Sequence, residues 1–146
     1  MQKPIVGFRH TGITVKEMER ALAFYCGLLG LEKRTDRISP EGGRFVGAPG
    51  ASIRICVLAL PDSNAEIELL EYRNAGGASV QPRLVDPGAA HTSFWVSDVE
   101  QLYADLVAHG VPVLADLIEP LSGRKKFYAR DPDGFWLELT EVRPAS

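Results

Sequence analysis

The sequence has 146 residues, of which 45% are hydrophobic and 24% are charged, with a formal net charge of −3 at pH 7. These values are typical of one soluble globular domain or of two small modules. No basic run or stripe stands out, so we expect no nucleic acid partner. The longest apolar run, residues 55–61, is too short to cross a bilayer, and we expect no membrane partner.

The cysteines and the first residues favour a cytoplasmic location. The two cysteines, Cys26 and Cys56, form neither a disulfide framework nor a CxxC motif. The opening stretch MQKPIVGFRH lacks the apolar core of a secretory signal.

The first half of the chain predicts a strand, a helix and three further strands. Residues 7–15 alternate in polarity, and residues 18–29 place apolar side chains at helical spacing before Gly30. Residues 31–38, 52–60 and 65–72 are predicted strands. A long loop rich in glycine and proline, residues 39–51, separates the first two of these strands, and a turn at 61–64 separates the last two.

The second half repeats this order after a linker at residues 73–89. Residues 90–96 predict a strand, and Asp98 with Gln101 predicts a capping box that opens a helix to about residue 109. Strands are predicted at 111–118, 125–130 and 135–142, the last after the tight turn DPDG. We therefore predict an α+β fold of two βαβββ modules, at about 6–72 and 90–142.

The two halves share a pattern of histidine and glutamate. HTGITV begins at His10 and HTSFWV at His91, while ELLE begins at Glu68 and ELTE at Glu138. Because side chains alternate along a strand, all four residues point away from the apolar face of their strands. Each alone is more often a solvated residue than a ligand, but the repetition favours a divalent-metal site of two imidazoles and two carboxylates. We assign His109, at a helix end, no such role.

Four stretches carry a resemblance to a known family: HTGITVKEMERALAFYCGLLGLE, AEIELLEY, AAHTSFWVSDVEQL and FYARDPDGFWLELTEV. Together they resemble the vicinal oxygen chelate superfamily, which includes glyoxalase I, methylmalonyl-CoA epimerase, extradiol dioxygenases and bleomycin resistance proteins. The resemblance implies paired modules forming a curled mixed sheet with a concave metal-binding trough. It also implies a homodimer, a small-molecule substrate, and one divalent ion per site (Zn, Ni, Co, Mn or Fe).

By this resemblance the metal ligands are His10, Glu68, His91 and Glu138. A fourth ligand at Glu68 resembles the glyoxalase and epimerase branch, because ring-cleaving dioxygenases typically have three. Thr14, Tyr72 and Pro87 stand where glyoxalase I typically has residues that hold glutathione, which argues against that substrate.

We therefore expect a metal-dependent lyase or isomerase that acts through an enediolate or enolate, with Glu138 preferred over Glu68 as the catalytic base. Candidate substrate-binding residues are the aromatic Tyr72, Trp95 and Trp136 and the cationic Arg54 and Lys126. The alternatives are an Fe(II) extradiol-type dioxygenase and a non-catalytic drug-binding protein. The sequence leaves open whether one chain or two chains of a dimer complete the site.

Overall fold

A computed structural model describes residues 4–61, 63–118 and 123–142 of the chain. The chain forms two compact units, Met1–Gly77 and Ala78–Ser146. Each unit is one four-stranded mixed sheet with a helix. Among the described residues, no helix has the length and apolarity that a membrane crossing requires.

The first unit contains strand β1 (His10–Thr14), helix α1 (Met18–Leu22, continued with wider turns over Ala23–Leu28), and strands β2 (Glu32–Ser39), β3 (Ser52–Ala59) and β4 (Glu66–Arg73). A 3-10 helix, Gly42–Val46, lies in the loop between β2 and β3. The strand order is β1-β4-β3-β2. Strand β1 is parallel to β4, and the other pairs are antiparallel.

The second unit has the same connectivity. Strand β5 (His91–Val96) is followed by helix α2 (Val99–Ala108) and strands β6 (Val113–Ile118), β7 (Lys126–Arg130) and β8 (Trp136–Glu141). The order β5-β8-β7-β6 again makes the first strand parallel to the last. The predicted α+β fold of two βαβββ modules is therefore confirmed.

Each sheet buries one face through the alternation of its strands. In the first unit Ile13, Ile67 and Leu69 are buried. In the second unit Leu137 and Leu139 of β8 are buried, as are Phe127 of β7 and two residues of α2, Val99 and Leu106. Burial of each large side chain contributes about 1.5–3 kcal/mol. The opposite face of each sheet carries the polar residues described below, beside buried side chains such as Ile53 and Ile55 in the first unit and Trp136 in the second.

Helix α1 departs from regular α-helical geometry in its second half. The amide of Leu29 donates to the carbonyl of Phe24 over 3.0 Å, which spans five residues instead of four. Gly30 then ends the helix with a φ of 76°, a conformation that favours glycine. The predicted helix is present, but its last turns are π-type.

The predicted capping box of α2 is only half formed. The Asp98 carboxylate accepts from the amide of Gln101 at 2.9 Å, as expected of an N-cap. The Gln101 side chain, however, donates to Asp105 at 2.8 Å instead of turning back to Asp98. The predicted turn at 61–64 includes Asp62, which lies outside the described residues.

Candidate active site

In the first unit the structure brings His10 and Glu68 together. They lie on the neighbouring parallel strands β1 and β4, with Gly12 directly opposite Glu68. The Nε2 atom of His10 is 3.2 Å from Oε2 of Glu68, and both side chains are half-buried. Both point to the face opposite the buried Ile67 and Leu69, as the strand alternation predicts.

The second unit forms the corresponding pair from His91 and Glu138. These residues lie on the parallel strands β5 and β8, with Ser93 directly opposite Glu138. Nε2 of His91 is 3.8 Å from Oε2 of Glu138. In both units the histidine therefore lies two residues before the residue that faces the glutamate.

The carboxylate of Glu138 is surrounded by hydrogen-bond donors. Oε1 accepts from Thr140 Oγ1 at 3.0 Å and from Ser93 Oγ at 3.2 Å. Oε2 accepts a short hydrogen bond from the Tyr128 hydroxyl and lies 3.4 Å from Nζ of Lys126. Burial by itself raises the pKa of Glu138, but the hydrogen bonds from Tyr128 and Thr140 and the charge of Lys126 outweigh it and hold the pKa below its ordinary value.

The surroundings of Glu68 are different. Its register partners are Gly12 on β1 and Val57 on β3, and Leu70 follows it on the same face of β4. Within the described part of the chain, its ion-pair partner is His10. The two units therefore repeat the histidine–glutamate pair but surround the glutamate with apolar residues in one case and polar residues in the other.

Both pairs combine an imidazole nitrogen with a carboxylate oxygen, donor types that bind divalent metals. The separation of 3.2 Å in the first pair is also that of a hydrogen bond, whereas that of 3.8 Å in the second is longer than one. No group of three or more His, Cys, Asp or Glu that could hold a metal occurs among the described residues, so each unit by itself provides one pair.

Four of the predicted substrate-binding residues share a face with a glutamate. Tyr72 lies on the face of Glu68. Trp95, Trp136 and Lys126 lie on the face of Glu138. Trp95 is 64% exposed, with the Arg124 guanidinium 4.9 Å from its ring centre. Trp136, by contrast, is buried: its Nε1 donates to the carbonyl of Pro82 at 2.8 Å, and Arg130 stacks 4.1 Å from its ring centre.

Arg54 does not lie on the face of His10 and Glu68. It shares the opposite face of β3 with Cys56, which is paired with the buried Leu69. Its guanidinium donates to both carboxylate oxygens of Asp36, at 2.9 and 2.7 Å, and to Glu19 at 2.7 Å. Strand alternation and these two carboxylates give Arg54 a structural ion pair in place of the predicted contact with a substrate anion.

Sequence reasoning missed Tyr128. The residue lies on β7 directly opposite Glu138, and its ring meets that of His91 edge to face at 5.7 Å. The alternating segment KFYAR does predict that Lys126, Tyr128 and Arg130 share one face. The segment does not indicate which residues of β7 pair with which residues of β8, and it is this pairing that places Tyr128 opposite Glu138.

Comparison with known proteins agrees with this architecture. The family model described as Glyoxalase/Bleomycin resistance protein/Dioxygenase superfamily matches residues 7–139. A 2-epi-5-epi-valiolone epimerase from Actinomyces sp. is 30% identical over 148 residues, covering 94% of this chain and 80% of that protein.

Solved structures show the same fold. A glyoxalase family protein from Bacillus cereus superposes with a TM-score of 0.86 at 19% identity, over 96% of both chains. The trypanothione-dependent glyoxalase I of Leishmania major superposes with a TM-score of 0.66 at 25% identity, over 90% of this chain and 84% of that one.

Proposed function

Because the chain belongs to the Glyoxalase/Bleomycin resistance protein/Dioxygenase superfamily, we propose that it is a divalent-metal-dependent lyase or isomerase acting on a small oxygen-chelating substrate. Members of this superfamily commonly use a divalent metal. The observation that carries the proposal is the pair of His–Glu contacts at matching register positions, His10 with Glu68 and His91 with Glu138. A structural origin for one such pair is ordinary, whereas its repetition favours a shared role.

We propose that His10 with Glu68 and His91 with Glu138 are ligands of a divalent ion, which is Zn, Ni, Co, Mn or Fe. Imidazole nitrogen and carboxylate oxygen together suit all of these ions. Held by these residues, such an ion would bind the vicinal oxygens of a substrate. When bound, such an ion polarises a carbonyl oxygen and stabilises negative charge on it.

We propose that carboxylates of the chain carry out the proton transfer. A proton on the carbon next to a polarised carbonyl is acidic enough for a positioned carboxylate to remove and return. Glu68 and Glu138 are the two candidates, because both lie on the face of the histidines. Inversion of that carbon, the reaction of an epimerase, requires one carboxylate to remove the proton from one face and a second acid to deliver a proton to the opposite face.

An isomerase is favoured over a glutathione-dependent lyase. The relative that is 30% identical is named as an epimerase, and the name of its substrate denotes a ketone. Thr14 and Tyr72 lie on the same faces as His10 and Glu68. Neither side chain carries the positive charge that would favour the carboxylates of glutathione. We therefore propose a small hydroxylated ketone as the substrate class.

The metal site is tested by the metal content of the purified untagged protein, measured by plasma mass spectrometry. We expect about one equivalent in the parent protein and little in His10→Ala or His91→Ala. His109→Ala is the matched control, since the third histidine lies at the end of α2 and its Nδ1 contacts the carbonyl of Asp105 at 2.7 Å. A parent protein that takes up no metal after reloading would contradict the proposal.

The reaction is tested by incubating the metal-loaded protein with 2-epi-5-epi-valiolone in D2O and recording proton NMR spectra. We expect loss of the signal of a proton next to the carbonyl, dependent on the metal. Oxygen consumption by the iron-loaded protein with an aromatic diol would instead indicate a dioxygenase. Tight binding of small molecules by a metal-free protein, without exchange, would indicate a binding protein.

A further inference from the structure

The Glu138 carboxylate is held from three strands at once. Ser93 approaches from β5, Tyr128 and Lys126 from β7, and Thr140 from β8 itself. Ser93 and Thr140 hold Oε1, and Tyr128 holds Oε2, so hydrogen bonds to both oxygens fix the orientation of the carboxylate.

Tyr128 provides the most directional of these contacts. Lys126 is a point charge on a flexible chain, and its distance of 3.4 Å is long for a hydrogen bond. Tyr128 has a rigid ring whose place is set by the backbone pairing of β7 with β8. Its hydroxyl contacts Oε2, the oxygen that also faces Nε2 of His91.

The first unit has no counterpart to this arrangement. The register position of Tyr128 is occupied by Val57, that of Ser93 by Gly12, and that of Thr140 by Leu70. None of these side chains has a hydrogen-bond donor. Among the described residues the contact that holds the Glu68 carboxylate is the one with His10, whose Nε2 lies 3.2 Å from Oε2.

We infer that Tyr128 is a positioning residue whose hydroxyl fixes the Glu138 carboxylate for metal binding. This inference rests on the proposed metal site. A ligand held in its bound orientation loses little conformational freedom on binding. Hydrogen-bonding partners of metal ligands typically change metal affinity by about 10- to 100-fold.

The test uses Co²⁺ as the probe. Its affinity is measured by titration calorimetry, and its coordination by the visible absorption of the bound ion. For Tyr128→Phe we expect binding weaker by about 10- to 100-fold and a changed absorption spectrum. Ser93→Ala removes a more exposed donor and is expected to act in the same direction to a smaller extent.

The matched control is Tyr103→Phe. Tyr103 belongs to the same unit but packs edge to face on Phe127, 5.1 Å between ring centres, on the buried side of the sheet. We expect this variant to bind Co²⁺ with the affinity and spectrum of the parent. Thermal unfolding of each variant separates a lost ligand orientation from a lost fold.

The outcomes separate this inference from the proposed function. A parent that binds Co²⁺ while Tyr128→Phe keeps the same affinity and spectrum would overturn the inference and leave the metal site standing. A parent that binds no divalent metal at all would overturn both.

Discussion

Gly12 and Ser93 occupy the same register position in the two units, each directly opposite the glutamate of the neighbouring parallel strand. Ser93 donates to Glu138 at 3.2 Å, whereas Gly12 has no side chain to offer Glu68. The two units thus repeat the strand pairing around the glutamate but not the side chains that surround its carboxylate. Variants in either unit can test the effect of this difference.

Gly12→Ser is expected to be tolerated and to introduce a donor beside Glu68. A Cβ on Gly12 would lie 3.5 Å from Leu70 Cδ1, an ordinary contact. Replacing a glycine inside a strand is expected to raise the free energy of unfolding by about 0.5 kcal/mol. Urea denaturation measures this. Gly43→Ala is the contrasting variant, because its Cβ would lie 2.3 Å from the carbonyl oxygen of Ala48 and must destabilise the unit.

The two glutamates should differ in their contribution to metal affinity. Glu138→Gln removes a carboxylate that is already oriented, so we expect it to weaken Co²⁺ binding by about tenfold more than Glu68→Gln does. Calorimetric titration of both variants under one set of conditions provides the comparison. Equal losses, or a larger loss for Glu68→Gln, would show that the orientation of Glu138 gives it no advantage.

The pair of Asp36 and Arg54 should make stability dependent on pH in acid. Hydrogen bonds from Arg54 are the main cause that lowers the pKa of Asp36, against a smaller opposing effect of burial. The unfolded chain therefore binds a proton at higher pH than the folded chain. The stabilisation is complete above about pH 4 and is lost as the pH falls below that value through the folded-state pKa.

Asp36→Asn should remove this dependence and lower the free energy of unfolding near pH 7 by about 1–2 kcal/mol, a modest value because the pair is partly exposed. Denaturation curves at several pH values between 3 and 7 measure both effects. Glu41→Gln is the control, since Glu41 pairs with Arg44 at 3.6 Å on the exposed surface. A parallel loss in Asp36→Asn and the parent as the pH falls would contradict the assignment.

We expect Trp136 to reduce local unfolding of the segment that precedes β5. Its Nε1 and the Nη2 of Arg130 both donate to the carbonyl of Pro82, at 2.8 and 3.1 Å. Trp136→Phe retains an aromatic ring but loses one of these bonds, worth about 0.5–1.5 kcal/mol, so trypsin should cleave after Arg83 about 3- to 10-fold faster. Trp95→Phe, which alters an exposed tryptophan, should leave the rate unchanged. Mass spectrometry of the fragments identifies the cleaved bond.

The fold was accessible from the sequence because its signals are local. Alternation in HTGITV and EIEL, helical spacing after Met18 and the turn DPDG each lie within about a dozen residues. The predicted elements agree with the observed ones to within a few residues. The half-formed capping box and the π-type turns after Ala23 were not foreseen, because each depends on which of two similar hydrogen bonds forms.

The sequence by itself determined that His10, Glu68, His91 and Glu138 face away from the buried side of their strands, because a period of two fixes the face of every residue in a strand. The tertiary structure decided what surrounds them, because the register between strands far apart in sequence is set by the packing of the whole sheet. That register brings Tyr128 to Glu138 and leaves Val57 beside Glu68. It also pairs Arg54 with Asp36 on the opposite face, a placement that local alternation could not distinguish from a substrate contact.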